Sequence, residues 1–223
     1  MGIVRMGPPE YLLEKIAEEF KIDVFVETGT YKGDTAVWAG ERFRQVFTVE
    51  NFRETYDQVL ARYGHLENVR FLYGHSLSLL PELLRQIEGD AIFWLDAHWM
   101  GEGSYGKMDE CPLIDEIRLL NQSRETHFIF IDDARLFLSP PPLPHLLERW
   151  PSVGEVIAEL DKKDRYTIVD EDVIISVPTA ARKLVGSLVQ EKTTANWQSG
   201  TAIDQSARTA AWSLKAILRK LTN

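Results

Sequence analysis

The sequence predicts a doubly wound α/β fold: a mostly parallel sheet closed by an antiparallel hairpin, followed by a basic helical tail. Three observations carry this. Short β-rich apolar runs alternate with helix-patterned stretches through most of the chain. Two further apolar runs, Tyr166–Val169 and Val173–Val177, flank the acidic segment Asp170–Asp172, as a hairpin would. From Thr179 onward the charge changes sign.

Taken in order, Tyr11–Phe20 reads as a leading amphipathic helix and Asp23–Glu27 as the first strand, ending in a glycine-containing turn. Asp34–Phe43 is helical, Val46–Glu50 is the second strand and Arg53–Tyr63 the next helix. Val69–Tyr73 is the third strand. Leu77–Gln86 follows as a helix that tolerates Pro81 only near its start. Ala91–Asp96 is apolar enough to be a central strand covered on both faces. A glycine-rich loop, Trp99–Glu110, leads to a helix over Leu113–Leu120 and a fifth apolar strand, His127–Asp132. Ser139–Pro144 is proline-rich and should run over the surface, before a helix at Val153–Leu160 and the closing hairpin. These elements form one domain over residues 1–178, with 179–223 as the tail. In the tail, Ile203, Ala207, Ala210, Leu214, Ile217 and Leu221 recur every three or four residues, which predicts an amphipathic helix over Ile203–Leu221.

The 223 residues, 44% hydrophobic and 26% charged, suit one generous domain with a sizeable core. No apolar run approaches the ~20 residues of a bilayer span, so stable membrane insertion is not expected. Met1–Pro9 lacks the basic-then-apolar design of a secretory signal. The single cysteine, Cys111, excludes an intrachain disulfide and a cysteine-based zinc site. The expectation is a cytoplasmic protein. A net charge of −9 argues against a nucleic-acid partner, because phosphate binding needs clustered Lys and Arg. The tail alone carries seven basic residues against two acids. It is expected to pack on the acidic domain or a second copy of the chain, giving a homo-oligomer, with a membrane-surface role as the alternative.

The chemistry gathers at strand ends. The first strand runs into Glu27-Thr28-Gly29-Thr30-Tyr31-Lys32-Gly33, then Asp34-Thr35. Glycines here allow positive φ and close approach to a ligand, and the turn should present free backbone N–H groups at the helix start. The spacing is not the G-x-G-x-x-G that cradles a pyrophosphate. A ligand without phosphate calls instead for a carboxylate that can hold an ammonium group, and Glu27 is placed for that. Thr28, Gly29, Thr30, Gly33 and Thr35 line the same turn. Glu50 closes the second strand, about 20 positions after the glycine turn, where an acid accepts hydrogen bonds from ribose hydroxyls. The third strand ends in Gly74-His75-Ser76, where His75 and Ser76 can meet an adenine edge. Together these ends describe a nucleoside pocket with an amino-acid-like end. The alternative for the first motif is a tight turn with a solvated Glu27.

These motifs, over roughly Asp23 to Pro178, resemble the Rossmann-like class I methyltransferases, whose cofactor is S-adenosylmethionine. The runs Phe93-Trp94-Leu95-Asp96-Ala97-His98 and Phe130-Ile131-Asp132-Asp133-Ala134 are similar to a narrower branch. That branch comprises the divalent-metal-dependent O-methyltransferases of the catechol type and the macrocin type that acts on antibiotic sugars. The resemblance implies that Asp96, Asp132 and Asp133 bind Mg2+ or Mn2+, that Asp96 also touches the donor, and that His98 serves as catalytic base. Two positions depart from the pattern. No lysine follows Asp96 until Lys107, and His75 replaces the acid that usually precedes the Ser at the third strand end.

Chemistry supports the grouping. Methyl transfer from a sulfonium is an in-line displacement, so the enzyme must position donor and acceptor and generate the nucleophile. A divalent cation held by hard oxygen ligands lowers the pKa of an alcohol or phenol, and a nearby His takes its proton. The alternative has Asp132 capping the next helix and Asp133 solvated. His65 and His145 read as surface residues, His127 as structural and Trp94 as core. Trp99 is placed to touch the acceptor, and Cys111 lacks a His-acid partner for nucleophilic work. The loop Trp99–Glu110 reads either as a lid or as a connector. The leading function is thus O-methylation of a hydroxyl on a small molecule such as a sugar or glycan precursor. Methyl transfer to another atom and a non-catalytic nucleoside-binding or assembly role are the alternatives.

Overall fold

The computed structural model describes residues 7–99 and 110–199. The chain falls into two compact units, residues 1–182 and 183–223. The described part of the second unit, residues 183–199, is helical. The segment between Trp99 and Glu110 and the helix expected over Ile203–Leu221 lie outside the described residues. Among the described residues, no helix is long and apolar enough to cross a membrane.

The first unit is built on strands β1 (Val24–Thr28), β2 (Gln45–Glu50), β3 (Val69–Tyr73), β4 (Ile92–Leu95), β5 (Phe128–Ile131), β6 (Arg165–Asp170) and β7 (Val173–Pro178). Their order across the sheet is β3-β2-β1-β4-β5-β7-β6. The first five are parallel, while β7 runs antiparallel to both β5 and β6. The mostly parallel sheet and its closing hairpin are therefore as the sequence predicts. Chain order reverses between β1 and β4, which leaves a crevice at their C-terminal ends, the place where such sheets bind ligands.

Helices α1 (Glu10–Phe20), α2 (Asp34–Gly40), α3 (Arg53–Tyr63), α4 (Ser76–Gln86), α5 (Leu113–Gln122), α6 (Arg135–Leu138) and α7 (Val153–Leu160) cover the sheet. The strands are apolar because both faces are covered: Phe25, Phe47, Phe93, Trp94, Phe128 and Phe130 are all fully buried. Each contributes about 2–3 kcal/mol of hydrophobic burial. Helix α7 starts in a capping box, with Ser152 and Glu155 satisfying each other's backbone N–H groups.

Some element ends differ from expectation. Helix α2 stops at Gly40, three residues early, where the Arg42 N–H bonds to the Ala39 carbonyl three residues back instead of to Trp38. Pro81 is the sixth residue of α4, beyond its first turn, so the Leu77 carbonyl lacks the usual intrahelical donor. The short helix α6 after β5 is additional. Asp96 and Asp132 each sit one residue past their strand, in the loops that rim the crevice.

Candidate active site

At the end of β1 the chain turns sharply at Gly29, where φ is 92°. A Cβ there would stand 2.4 Å from the carbonyl oxygen of Asp96, so only glycine lets β1 and β4 lie this close. The N–H groups of Gly29 and Thr30 both bond to the Val49 carbonyl, at 2.9 and 3.2 Å, and that of Gly33 to Thr30 at 2.9 Å. Tyr31, itself at φ 47°, donates its N–H to Glu50 Oε2 at 3.0 Å. Three of the turn's amides, those of Gly29, Thr30 and Tyr31, are thus spent on fastening it to β2, and the helix that follows starts at Asp34 with no side-chain cap.

Glu27 is buried to 1% exposure. The Thr48 hydroxyl donates to its Oε2 at 2.6 Å, and the Thr30 and Thr48 hydroxyls stand 2.5 Å apart. No Lys or Arg among the described residues forms an ion pair with it. Burial pushes the Glu27 carboxyl up to about 8, and the nearby charges of Asp96 and Glu50 add to the rise against the Thr48 and Thr35 hydroxyls. Glu50 ends β2, its Oε1 accepting from the N–H groups of Asn51 at 2.9 Å and Phe52 at 2.8 Å. These bonds fix the carboxylate in one orientation. His75 caps α4, its Nδ1 accepting from the Leu77 N–H at 3.3 Å. The buried atoms Thr28 Oγ1, Asn51 Oδ1 and Ser76 Oγ have no partner among the described residues. A ligand with an ammonium group and hydroxyls fits this donor and acceptor set.

Across the crevice, Asp96, His98 and Asp133 each bring one ligand atom within 4.8 Å of the others. His98 Nε2 lies 2.6 Å from Asp133 Oδ2, and its Nδ1 lies 3.5 Å from Asp96 Oδ1. Burial alone would lower the His98 pKa, but the flanking Asp133 and Asp96 carboxylates outweigh it and the net direction is upward. Asp133 is likewise raised by burial but held below its ordinary value by His98 and Arg135. Asp132 turns its Oδ1 to the Asp133 N–H at 2.8 Å. Burial, with the charge of Asp96 beside it, pushes Asp132 up to about 7, and burial pushes Asp96 up to about 6. The helix that follows, α6, has no side-chain cap, and Asp133 is 8% exposed; neither acid plays the capping or solvated part of the alternative reading. Two carboxylate oxygens and an imidazole nitrogen so close together fit a divalent cation. The three-residue cluster contains His98 and not Asp132, whose Oδ1 accepts from the Asp133 N–H.

The sequence leaves several participants unread. Arg135 pairs with Asp133 Oδ1 at 2.5 Å and with Asp172 on the β6–β7 turn. Glu110, 1% exposed, accepts from Trp150 Nε1 at 2.8 Å and from the Leu146 N–H at 3.1 Å. His145, expected at the surface, is instead packed edge-on against Trp99 and Trp150, with its Nδ1 3.4 Å from Glu110. Trp150 in turn packs edge-on to His98. Trp99, expected to touch the acceptor, is 5% exposed and belongs to this aromatic wall. Its N–H bonds to the Glu110 carbonyl at 2.8 Å. Among the other histidines, His65 is exposed, and His127 is buried between Ser123 Oγ and the Ala91 N–H. Trp94 is core, as expected.

No protein-family model matches the chain, and no curated protein matches its sequence. Solved structures do resemble it. The O-methyltransferase TomG of Streptomyces achromogenes, involved in tomaymycin synthesis and solved with S-adenosylmethionine, aligns with a TM-score of 0.55 at 17% identity. That alignment covers 79% of this chain and 82% of TomG. An O-methyltransferase of Bacillus cereus solved with S-adenosylhomocysteine aligns at 0.54 and 14% identity, over 78% of this chain and 82% of its own. The methyltransferase PaMTH1 of Podospora anserina, also bound to S-adenosylhomocysteine, aligns at 0.52 and 16% identity, over 76% and 77%. The chain therefore has the Rossmann-like fold of the class I methyltransferases, with the carboxylates of Glu27, Glu50, Asp96 and Asp133 gathered at the C-terminal edge of its parallel strands.

Proposed function

We propose that the chain is an S-adenosylmethionine-dependent O-methyltransferase acting on a hydroxyl of a small molecule, such as a sugar or glycan precursor, with the help of Mg2+ or Mn2+. The observation that carries this reading is Glu27, a buried carboxylate at the switch point with no cation paired to it among the described residues. Such a carboxyl stays protonated at neutral pH until an opposite charge arrives with the ligand and favours its ionised form. The ammonium end of an amino-acid-like donor supplies that charge. S-Adenosylmethionine, when bound, supplies a methyl group on a sulfonium.

Glu50, pinned by three backbone N–H groups, keeps one lone pair on Oε2 for a ribose hydroxyl. Thr28 and Ser76 add hydroxyls at the end of β1 and the start of α4. Asp96 and Asp133, with Asp132 beside them, would hold the divalent cation, which supplies positive charge that makes a hydroxyl easier to deprotonate. His98 is the proton acceptor. Because its two ring nitrogens face carboxylates, its proton is held more tightly than on a free imidazole. It takes the acceptor's proton only after losing its own.

The test is methyl transfer from labelled S-adenosylmethionine to a panel of sugars, glycans, phenols and catechols, with and without EDTA, beside calorimetry of S-adenosylhomocysteine binding. Binding with transfer to a hydroxyl that stops in EDTA and returns with Mg2+ or Mn2+ is expected. Absence of S-adenosylhomocysteine binding overturns the donor, and full activity in EDTA overturns the metal.

A further inference from the structure

We propose that Asp172, on the turn of the β6–β7 hairpin, is a positioning residue of the candidate active site: through Arg135 and the backbone of residues 134–135 it holds Asp133 against His98. The inference rests on the reading of Asp133 and His98 as functional residues, although its geometry does not.

Asp172 is 3% exposed and directs three interactions at one stretch of chain. Its carbonyl accepts from the Ala134 N–H at 2.8 Å, its Oδ1 from the Arg135 N–H at 2.9 Å, and its Oδ2 pairs with the Arg135 guanidinium. That guanidinium reaches Asp133 Oδ1 at 2.5 Å, and Asp133 Oδ2 reaches His98 Nε2 at 2.6 Å. Charges alternate along the row Asp172, Arg135, Asp133, His98, Asp96, which runs from the hairpin to the crevice.

The backbone explains why such a clamp is needed. Asp133 sits at φ 55°, a left-handed conformation that strains a non-glycine residue. It persists because its neighbours fix both sides: the Asp133 N–H is held by Asp132 Oδ1 and the Ala134 N–H by the Asp172 carbonyl. A purely architectural role for Asp172 would be met by its two backbone bonds. The shared guanidinium is the part that reaches the site. Arg135 keeps 42% of its side-chain surface, so its pairing contributes little stability in itself. What it gives is direction, since one guanidinium nitrogen, Nη1, set between two carboxylates fixes the second by way of the first.

Proton NMR of the full chain reads this directly. A hydrogen bond as short as that between His98 and Asp133 places a slowly exchanging imidazole proton far downfield, assigned by its loss in His98→Gln. In Asp172→Asn that resonance should move upfield or exchange away, whereas Asp170→Asn on the same turn should leave it in place. Arg135→Ala, which removes the nitrogen that the two carboxylates share, should lose it as well. S-Adenosylhomocysteine affinity should stay within about threefold in all three variants, because Glu27 and Glu50 are untouched. Should Asp172→Asn fail to fold, Arg135→Gln carries the same test from a half-exposed position. An unshifted resonance in the folded Asp172 or Arg135 variants overturns the proposal, as does its absence from the unaltered protein or an equal shift in Asp170→Asn. Failure of donor binding with the resonance behaving as expected would overturn the methyltransferase reading and leave the clamp standing.

Discussion

Replacing Glu27 by Gln should make the ligand-free protein more stable at neutral pH while removing its hold on an ammonium group. The magnitude follows from burial. In the fold the carboxyl is pushed from 4.5 up to about 8, first by burial and then by the charge of Asp96, with the Thr48 hydroxyl opposing. Because the folded value lies above the unfolded one, the stabilising contribution is complete below pH 4.5 and is lost as pH climbs through 8. At pH 7 the unfolded carboxyl has ionised and the folded one has not. That difference is worth about 3 kcal/mol at ~1.4 kcal/mol per pH unit, and approaches about 5 kcal/mol above pH 8. A glutamine amide in this position is neutral at every pH and can still accept from Thr48. Denaturation between pH 5 and 9 should therefore show Glu27→Gln gaining on the unaltered protein as pH rises. Ligand binding reports the same group from the other side. An ammonium placed beside Glu27 draws it into the charged form, so binding S-adenosylhomocysteine at pH 7 should release about 0.9 proton. Calorimetry in buffers of different ionisation enthalpy measures that number. A stability difference that does not change with pH, or undiminished binding by Glu27→Gln with no buffer dependence in either protein, would refute the reasoning.

Three further outcomes are expected. His98→Ala should slow methyl transfer by about 10²–10⁴-fold, with a deficit that shrinks at high pH. The unaltered enzyme should speed up as pH rises through a midpoint above 6.5, because Asp133 and Asp96 outweigh burial in holding the His98 proton; a rate that falls over that range contradicts this. His127 is lowered to about 4, chiefly by burial with Arg165 and Lys163 adding, so its contribution to stability is present above pH 6.5 and lost as pH falls toward 4. The loss amounts to about 3 kcal/mol, and acid denaturation of His127→Gln should be flatter by that amount or the assignment is wrong. Gly29→Ala puts a methyl 2.4 Å from the Asp96 carbonyl oxygen at φ 92°, which should cost at least about 2 kcal/mol and weaken S-adenosylhomocysteine binding. An unchanged thermal melt would show that β1 and β4 need not approach so closely.

Strands are readable because burial on both faces leaves an unmistakable composition: the run expected at Val46–Glu50 is found at Gln45–Glu50, and that at Val69–Tyr73 is found unchanged. Once the strands are parallel and the order reverses at β1 and β4, their C-terminal ends must meet. This is why Glu27, Glu50, Asp96, His98 and Asp133 arrive together although they span more than a hundred positions. The supporting shell obeys no such rule. Asp172 meets Arg135 across 37 positions and Trp150 meets Glu110 across 40, with no periodicity linking either pair. In the sequence Asp172 is one acid among three in a turn, and His145 a loop residue beside prolines. Only the packed structure shows that each has a buried or half-buried partner near His98. The first amides of the turn are not legible in the sequence for a related reason: the turn must also be fastened to β2, and Val49 and Glu50 claim the N–H groups of Gly29, Thr30 and Tyr31.

The bond between the Trp99 N–H and the Glu110 carbonyl has a consequence for how such a protein can change over evolutionary time. It ties off the intervening segment at its base, next to His98 and the aromatic wall. Lengthening a segment already closed at its ends adds only about 0.6 kcal/mol per doubling in closure entropy. Insertions and replacements there are therefore tolerated by the fold, while Glu27 and Glu50 lie on other strands and feel none of them.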